Sequence, residues 1–311
     1  MSIEILVAGS LHFDILVAGP RLPQIGETLA GTGWMTKCGG KGGNQAVEAA
    51  RHGAAAAMVG CIGDDEFGGR LEAHLAAAGV DTRFIRRGES GSGMSVALSD
   101  AGGDYAAVIV TGSNALVQVA DIEAAAQELA PGGLLVLQNE IPEAANLAAA
   151  RAARSRGARV MINAAPVREM TAALLELVDI LIVNALEAQM LGGGTVADLP
   201  DAARAAESLT RLVPSVIVTA GGHGLALSAP GISATIGAHA VALISTHGAG
   251  DAFAGALAAR LVKGETLEKA AIYANAAAAV LVSTPEAQRH ALTSAATVRL
   301  LQSFAPGRTA P

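Results

Sequence analysis

Ser245-Thr246-His247-Gly248-Ala249-Gly250-Asp251-Ala252-Phe253-Ala254-Gly255-Ala256 decides how this chain is read, because it joins a glycine turn to a carboxylate at the start of a helix. The Gly248-Ala249-Gly250 run can turn sharply and gather backbone N–H groups at one point, and the helix that follows adds the positive end of its dipole. Such a pocket holds an anion, and a γ-phosphate beside a carboxylate base is what phosphoryl transfer to a hydroxyl requires. From Asp251 to Lys263 the apolar positions Phe253, Leu257, Leu261 and Val262 read as a helix, with Gly264 as its stop. Asp251 is expected at or just inside the N-terminus. An isolated aspartate there reads as an N-cap. Two glycines beside it weaken regular structure unless backbone must approach something closely, which favours a site.

Outward from this stretch, short β-branched runs alternate with alanine-rich helical segments. Strands are predicted at Ile3 to Ala8, Ala57 to Gly60, Leu134 to Leu137, Arg159 to Ile162, Ile180 to Val183 and Val216 to Thr219. Helices are predicted at Ala46 to His52, Gly68 to Ala78, Glu143 to Arg156, Ala252 to Val262 and Leu267 to Val282. The alternation predicts an α/β fold with a mostly parallel central sheet and helices on both faces, which places ligands at the carboxyl ends of the strands. Residues from about 14 to 38 and from 91 to 111 break the pattern, with alternating residues and turn glycines but no helix. They are read as strands of a small sheet covering the site, ordinary surface hairpins being the alternative. With no repeat or long linker, a single domain plus lid is expected. From Thr284 onward the order signals weaken, and the tail is expected to fray.

Composition narrows the function. The chain has 311 residues, a net charge of −7 and 3% aromatics, so neither a basic face nor base-stacking platforms for nucleic acid are visible. Although 51% of residues are hydrophobic, alanine rather than leucine is the commonest of them, and no apolar run is long enough to span a membrane. Cys38 and Cys61 form neither a CxxC nor a metal cluster, and the N-terminus lacks the basic lead of a signal peptide. A cytoplasmic protein is expected.

The single Gly-Lys pair, Gly40-Lys41, is followed by glycine, so there is no Walker loop. No G-x-G-x-x-G follows a strand, which removes the main support for a nicotinamide dehydrogenase, and neither a G-x-S-x-G elbow nor an H-E-x-x-H pair occurs. Cys38-Gly39-Gly40-Lys41-Gly42-Gly43-Asn44-Gln45-Ala46 sets a lysine and an amide among four glycines before a helix. A polyhydroxylated ligand could pack on that backbone while Lys41 and Asn44 donate to its hydroxyls; a flexible linker is the bland alternative. After the first strand come His12 and Asp14, the latter a possible acceptor for sugar hydroxyls or a turn residue. Asn184 and Glu187 share one side of a helical turn, where Glu187 either orients water on Mg²⁺ or caps the helix. Thr219-Ala220-Gly221-Gly222-His223-Gly224 offers glycine for nucleotide approach or a tight hairpin.

Together these segments resemble the ribokinase, or phosphofructokinase B-type, family of carbohydrate kinases from Ile3 to about Gln288. One family signature is similar to Gly39 to Ala46 continuing through Gly60-Cys61-Ile62-Gly63-Asp64-Asp65-Glu66-Phe67-Gly68, the other to His247 to Ala256, and the Gly-Gly-Lys-Gly-x-Asn-Gln-Ala form is nearest the ribokinase branch. The resemblance implies a ribokinase-like three-layer sandwich with a β-sheet lid that often forms a dimer contact. It implies an ATP-dependent kinase acting on the primary hydroxyl of a pentose, D-ribose first, another sugar or a nucleoside second; a non-catalytic sugar-binding protein of this fold is the alternative from another class. It assigns Asp14, Gly40, Lys41, Asn44 and Glu140 to the sugar, Asn184, Thr219, Gly221, Gly224 and Asn275 to the nucleotide, and Asp251 to the base, with Ala249 and Gly250 at the phosphate. His12 stands where ribokinases usually carry an asparagine that touches the sugar, and His247 replaces a small apolar residue. The potassium loop of ribokinases has Asp at the place of Ser245 and Gly near that of Glu286, so activation by K⁺ is expected to be altered or lost.

Overall fold

Strands that are apolar at almost every position must be buried on both faces, and the chain uses them that way. The computed structural model describes residues 2–100 and 105–303. In chain order its elements are β1 (Ile3–Ala8), β2 (His12–Ala18), β3 (Gly33–Gly39), α1 (Lys41–Arg51), β4 (Ala56–Gly63), α2 (Glu66–Ala77), β5 (Asp81–Gly88), β6 (Met94–Ser99) and β7 (Tyr105–Val110). There follow α3 (Val119–Ala126), β8 (Leu129–Gln138), α4 (Glu143–Ser155), β9 (Arg159–Asn163), α5 (Ala172–Leu175), β10 (Ile180–Asn184), α6 (Ala185–Met190) and α7 (Leu199–Leu209). Then come β11 (Ser215–Thr219), β12 (Gly224–Ala229), β13 (Ile232–Gly237), α8 (Ala249–Val262), α9 (Leu267–Val282) and α10 (Ser294–Ser303).

Nine strands form one sheet in the order β13-β12-β11-β10-β9-β8-β1-β4-β5. All neighbours from β11 to β5 pair parallel, and β12 and β13 add an antiparallel edge. Alternate residues serve opposite layers. Leu6, Leu135, Ile162, Leu181 and Val216 pack with the alanines of α3, α4 and α7. Val7, Val136, Met161, Ile182 and Ile217 pack with those of α1, α8 and α9. β2 starts four residues after β1 ends, so the second sheet, ordered β3-β2-β6-β7, springs from the carboxyl end of a central strand.

The expected α/β architecture with a small extra sheet is therefore present. The stretch Thr219 to Gly224 is the turn of a β11–β12 hairpin, the alternative left open in the sequence. β5, β13 and the helices α3, α5, α7 and α10 were not foreseen. Short alanine-rich helices lack the leucine stripe that marks a buried face, although Asp198, whose carboxylate caps α7 by accepting from the Asp201 amide, and Pro200 behind it were readable start signals. Order also extends past Thr284: α10 buries Thr297, whereas residues 304–311, the expected frayed tail, lie outside the described residues. Among the described residues no helix is long and apolar enough to cross a membrane.

Where α8 crosses α1 the two backbones approach closely. A Cβ on Gly255 would lie 2.5 Å from Glu48 Cβ and 2.6 Å from the carbonyl oxygen of Gln45. Gly255 is thus required by packing, one turn beyond Asp251. Gly255→Val is expected to lower the free energy of unfolding by about 1–3 kcal/mol, as overpacked cores do. Urea unfolding measures it, and a midpoint equal to that of the parent chain would refute the close-crossing account.

Candidate active site

Asp251 is the third residue of α8, behind Gly248, whose φ of 79° starts the helix with no side-chain cap. Its carboxylate does not cap its own helix. Oδ2 accepts from Asn44 Nδ2 and Oδ1 from Gln45 Nε2, each at 2.9 Å, so both oxygens are held by α1. Gln45 is held in turn: its Oε1 accepts from Gln138 Nε2 at 2.8 Å, and its Nε2 also reaches Asn163 Oδ1 at 3.2 Å. Burial pushes the Asp251 carboxyl above the usual carboxylate range. The Lys41 charge and the two amides oppose that rise, and Glu140 adds to it. At the turn itself the Ala249 amide donates to Thr246 O at 3.1 Å, so it is not open to a phosphate in this conformation. Gly250 and Asp251 follow it in the first turn, where helix geometry leaves amides without intrahelical acceptors.

A cavity of about 490 Å³ opens against this carboxylate, between the small sheet and the large one. It is lined by His12, Asp14, Gly40, Lys41, Asn44, Glu140 and Asp251, so the residues expected at the sugar surround one space. Ser95, Ala97 and Ile109 of the small sheet form its roof with Lys37 and Leu16. The polar groups are fixed from behind. Glu140 Oε2 accepts from the Ser10 hydroxyl and, at 3.2 Å, from the Lys41 amide, while Asp14 accepts from the Ser95 hydroxyl. The glycines of the Cys38 to Ala46 run serve chiefly the chain itself. A Cβ on Gly42 would stand 2.7 Å from the Ser10 amide and 2.8 Å from Gly9, so α1 can begin there only by lying on the β1–β2 turn. Gly40 lines the cavity, yet a Cβ there would also meet Ser10 O and His12 N at 2.7 Å, so it too serves the chain.

Asn184 and Thr219 are register partners at the carboxyl ends of β10 and β11. Gly221 is exposed with open space around it. At Gly224, with φ of 112°, a Cβ would meet Ile236 O at 2.0 Å, so β-hairpin geometry accounts for this glycine. Asn275 on α9 donates to Gly237 O at 2.8 Å and holds the end of β13. Glu187 and Asn184 form a reciprocal cap on α6: Glu187 Oε2 accepts from the Asn184 amide and Asn184 Oδ1 from the Glu187 amide. Burial raises the Glu187 carboxyl, the Asn184 hydrogen bond and Lys41 oppose this, and Asp251 adds to it, so Glu187 also feels the site. Among the described residues no three His, Cys, Asp or Glu side chains cluster as a metal cage. One carboxylate beside nucleotide phosphates is nonetheless the donor set that Mg²⁺ commonly takes.

The monovalent-cation positions fit poorly. Ser245 Oγ accepts from the His247 amide at 3.3 Å, and Glu286 Oε1 accepts from Lys37 Nζ at 2.7 Å. The carbonyls of Ser245 and His247 are taken by the Arg289 guanidinium. His247 also lines the cavity, where burial and Lys37 hold its pKa below the usual imidazole value against the pull of Glu286, Asp14 and Asp251.

Sequence reasoning missed Gln45, Gln138 and Asn163, the amides behind Asp251, and Asn114, which clamps Leu11 through its backbone N–H and C=O, both at 2.8 Å. Gln138 and Asn163 each end an apolar strand, which is the signal they carry. Gln45 adjoins Asn44 inside the glycine-rich run.

A family model described as pfkB family carbohydrate kinase matches residues 3–294. The chain is 32% identical to the ribokinase of Haemophilus influenzae, over 95% of its own length and 97% of that protein. It is 30% identical to the deoxyribokinase of Salmonella typhi, over 86% and 88% of the two chains. The structure of Arabidopsis thaliana ribokinase, complexed with ribose and ATP, superposes with a TM-score of 0.87 at 28% identity, covering 97% of this chain and 99% of that one. With a glycine turn, a buried aspartate and a polar cavity on one α/β scaffold, and a family model spanning nearly all of it, the chain belongs to the pfkB family of carbohydrate kinases.

Proposed function

We propose that the chain transfers the γ-phosphoryl group of ATP to the primary hydroxyl of a pentose, D-ribose first. The observation that carries this is Asp251, a buried carboxylate held by Asn44 and Gln45 where the polar cavity meets the first turn of α8. His12, Asp14, Gly40, Lys41, Asn44 and Glu140 would hold the sugar, with its primary hydroxyl toward Asp251. Asp251 accepts the hydroxyl proton as the oxygen attacks in line, and the turn Gly248 to Gly250 stabilises charge developing on the phosphoryl oxygens. Asn184, Thr219, Gly221, Gly224 and Asn275 would line the nucleotide. Glu187 would hold Mg²⁺ through water, and the ion supplies charge screening on the phosphates. The small sheet acts as a lid that excludes water. The named ligands of the Arabidopsis relative support ribose and ATP. The deoxyribokinase relative supports 2-deoxyribose as a second reading. A nucleoside is disfavoured because the apolar lining, Leu16, Ala97, Ala107 and Ile109, includes no Phe, Tyr or Trp to cover a base. The unpaired Cys38 and Cys61 agree with a reducing, cytosolic setting.

An ADP-release assay over ribose, 2-deoxyribose, other sugars and nucleosides tests the reading. Ribose is expected to give the highest kcat/KM, and Asp251→Asn to lower kcat roughly 10²- to 10⁴-fold at nearly unchanged KM for ATP. Sugar binding without ADP release from any compound would instead identify a non-catalytic binding protein.

The pH profile tests the base. Asp251 works only when deprotonated and its pKa is raised, so kcat/KM should fall on the acid side with an inflection above the usual carboxylate value of about 4. Lys41→Met removes the charge that opposes the rise and should move that inflection to higher pH. A limb that does not move excludes the coupling.

The face of the small sheet turned away from the cavity also exposes Trp34 at 76%, Val108 at 69% and Val110 at 50%. Such a patch suits a second copy of the chain, giving a homodimer through the lid. Sedimentation should show a dimer that Trp34→Asp weakens, and a monomer for the parent chain at micromolar concentration would reject it.

A further inference from the structure

The segment leading into the phosphate turn has no strand or helix of its own. The amides of Ile244 and Ser245 donate to Val282 O, at 2.9 and 3.2 Å, and so lay it along the end of α9. Its carbonyls point elsewhere. Ser245 O accepts from Arg289 Nη2 at 3.0 Å and His247 O from Nη1 at 2.8 Å, while Nε donates to Thr284 O at 3.0 Å. Three backbone oxygens from two separate loops thus converge on one guanidinium that is only 11% exposed. The nearest carboxylate, Glu286, stands 4.0 Å away and is already held by Lys37 at 2.7 Å. The Arg289 backbone is fixed as well, its carbonyl accepting from Arg51 of α1 at 3.0 Å.

Backbone carbonyls gathered from different loops are how a protein replaces the hydration shell of a monovalent cation. Here the charge at their focus is covalently attached and cannot be deprotonated. We propose that Arg289 is a positioning residue, a tethered cation that sets the Ser245 to His247 segment and through it the Gly248 to Asp251 turn. It makes the enzyme independent of monovalent-cation activation. This rests on the reading of that turn as the phosphoryl-transfer site. The Arg289 guanidinium donates to backbone carbonyls, and it acts through the backbone immediately before the turn.

The test compares the parent chain with Arg289→Ala and Arg289→Lys in potassium chloride and in tetramethylammonium chloride at equal ionic strength. Both kcat with ribose and the thermal unfolding midpoint are read. The parent chain is expected to give the same values in both salts. Arg289→Ala should lose kcat by roughly 10²-fold in tetramethylammonium, the scale of a misplaced catalytic turn. Millimolar guanidinium or K⁺ should restore both turnover and midpoint, a response that loss of packing alone would not produce. Arg289→Lys, which keeps a tethered charge, should stay insensitive to K⁺ at reduced kcat, and it carries the test if the alanine variant does not fold. Activation or stabilisation of the parent chain by K⁺ would overturn the proposal. So would parental turnover in Arg289→Ala, or a loss that no cation recovers. If the parent chain phosphorylates nothing in the assay, the functional reading fails separately, and the midpoints still decide what occupies the carbonyl focus.

Discussion

Everything at the site depends on how closely α8 crosses α1. Gly255 lets the two backbones approach until any side chain at that position would strike Glu48 and Gln45. At that separation, one turn back along α8, Asp251 comes within hydrogen-bond reach of two consecutive residues of α1, Asn44 and Gln45. The same α1 begins on the β1–β2 turn because Gly42 permits backbone contact there. One packed unit therefore joins the end of the central strand, the cavity floor and the start of α8. Each glycine in it removes a side chain where a helix must touch the chain itself.

The electrostatics follow from that packing. A carboxylate taken out of water is held against protonation by neutral amides and one lysine, while Glu140 and Glu187 lie near enough to work the other way. Amide donors are well suited to this task. They stabilise the charged form and fix both oxygens without the full pKa depression that a bidentate arginine would impose. In the proposed reaction this carboxylate would take a proton from a sugar hydroxyl, a task that its raised pKa favours.

What was legible in the sequence was whatever a local pattern carries. The parallel strands appeared as continuous apolar runs, and the helix predicted at Leu267 to Val282 coincides with α9, which the Thr266 hydroxyl caps. The residues around the cavity could be named because they cluster in the His12, Lys41 and Asp251 segments and share a family pattern. Long-range partnerships were not legible. Nothing in the local surroundings of Gln138 or Asn163 says that each will face Gln45, and nothing near Arg289 says that its guanidinium will find carbonyls more than forty residues away. The glycine-rich run shows the limit most clearly. Its composition was read as room for a ligand, but most of that room is filled by the chain's own backbone, because a missing side chain looks the same in sequence whatever takes its place.

The helices that cover the large sheet are faced mainly with alanine: Ala145, Ala149 and Ala153 on α4, Ala202, Ala205 and Ala206 on α7, and Ala252, Ala256 and Ala259 on α8. Small side chains seat helices close to the strands, so the layers are thin and little slack remains between them. A core built this way is vulnerable in the opposite sense from one filled with leucine. Truncation has almost nothing to remove, whereas one added methyl has nowhere to go. Drift in this chain is therefore constrained from above in side-chain volume, and the helical positions least able to vary are those already carrying the smallest residues.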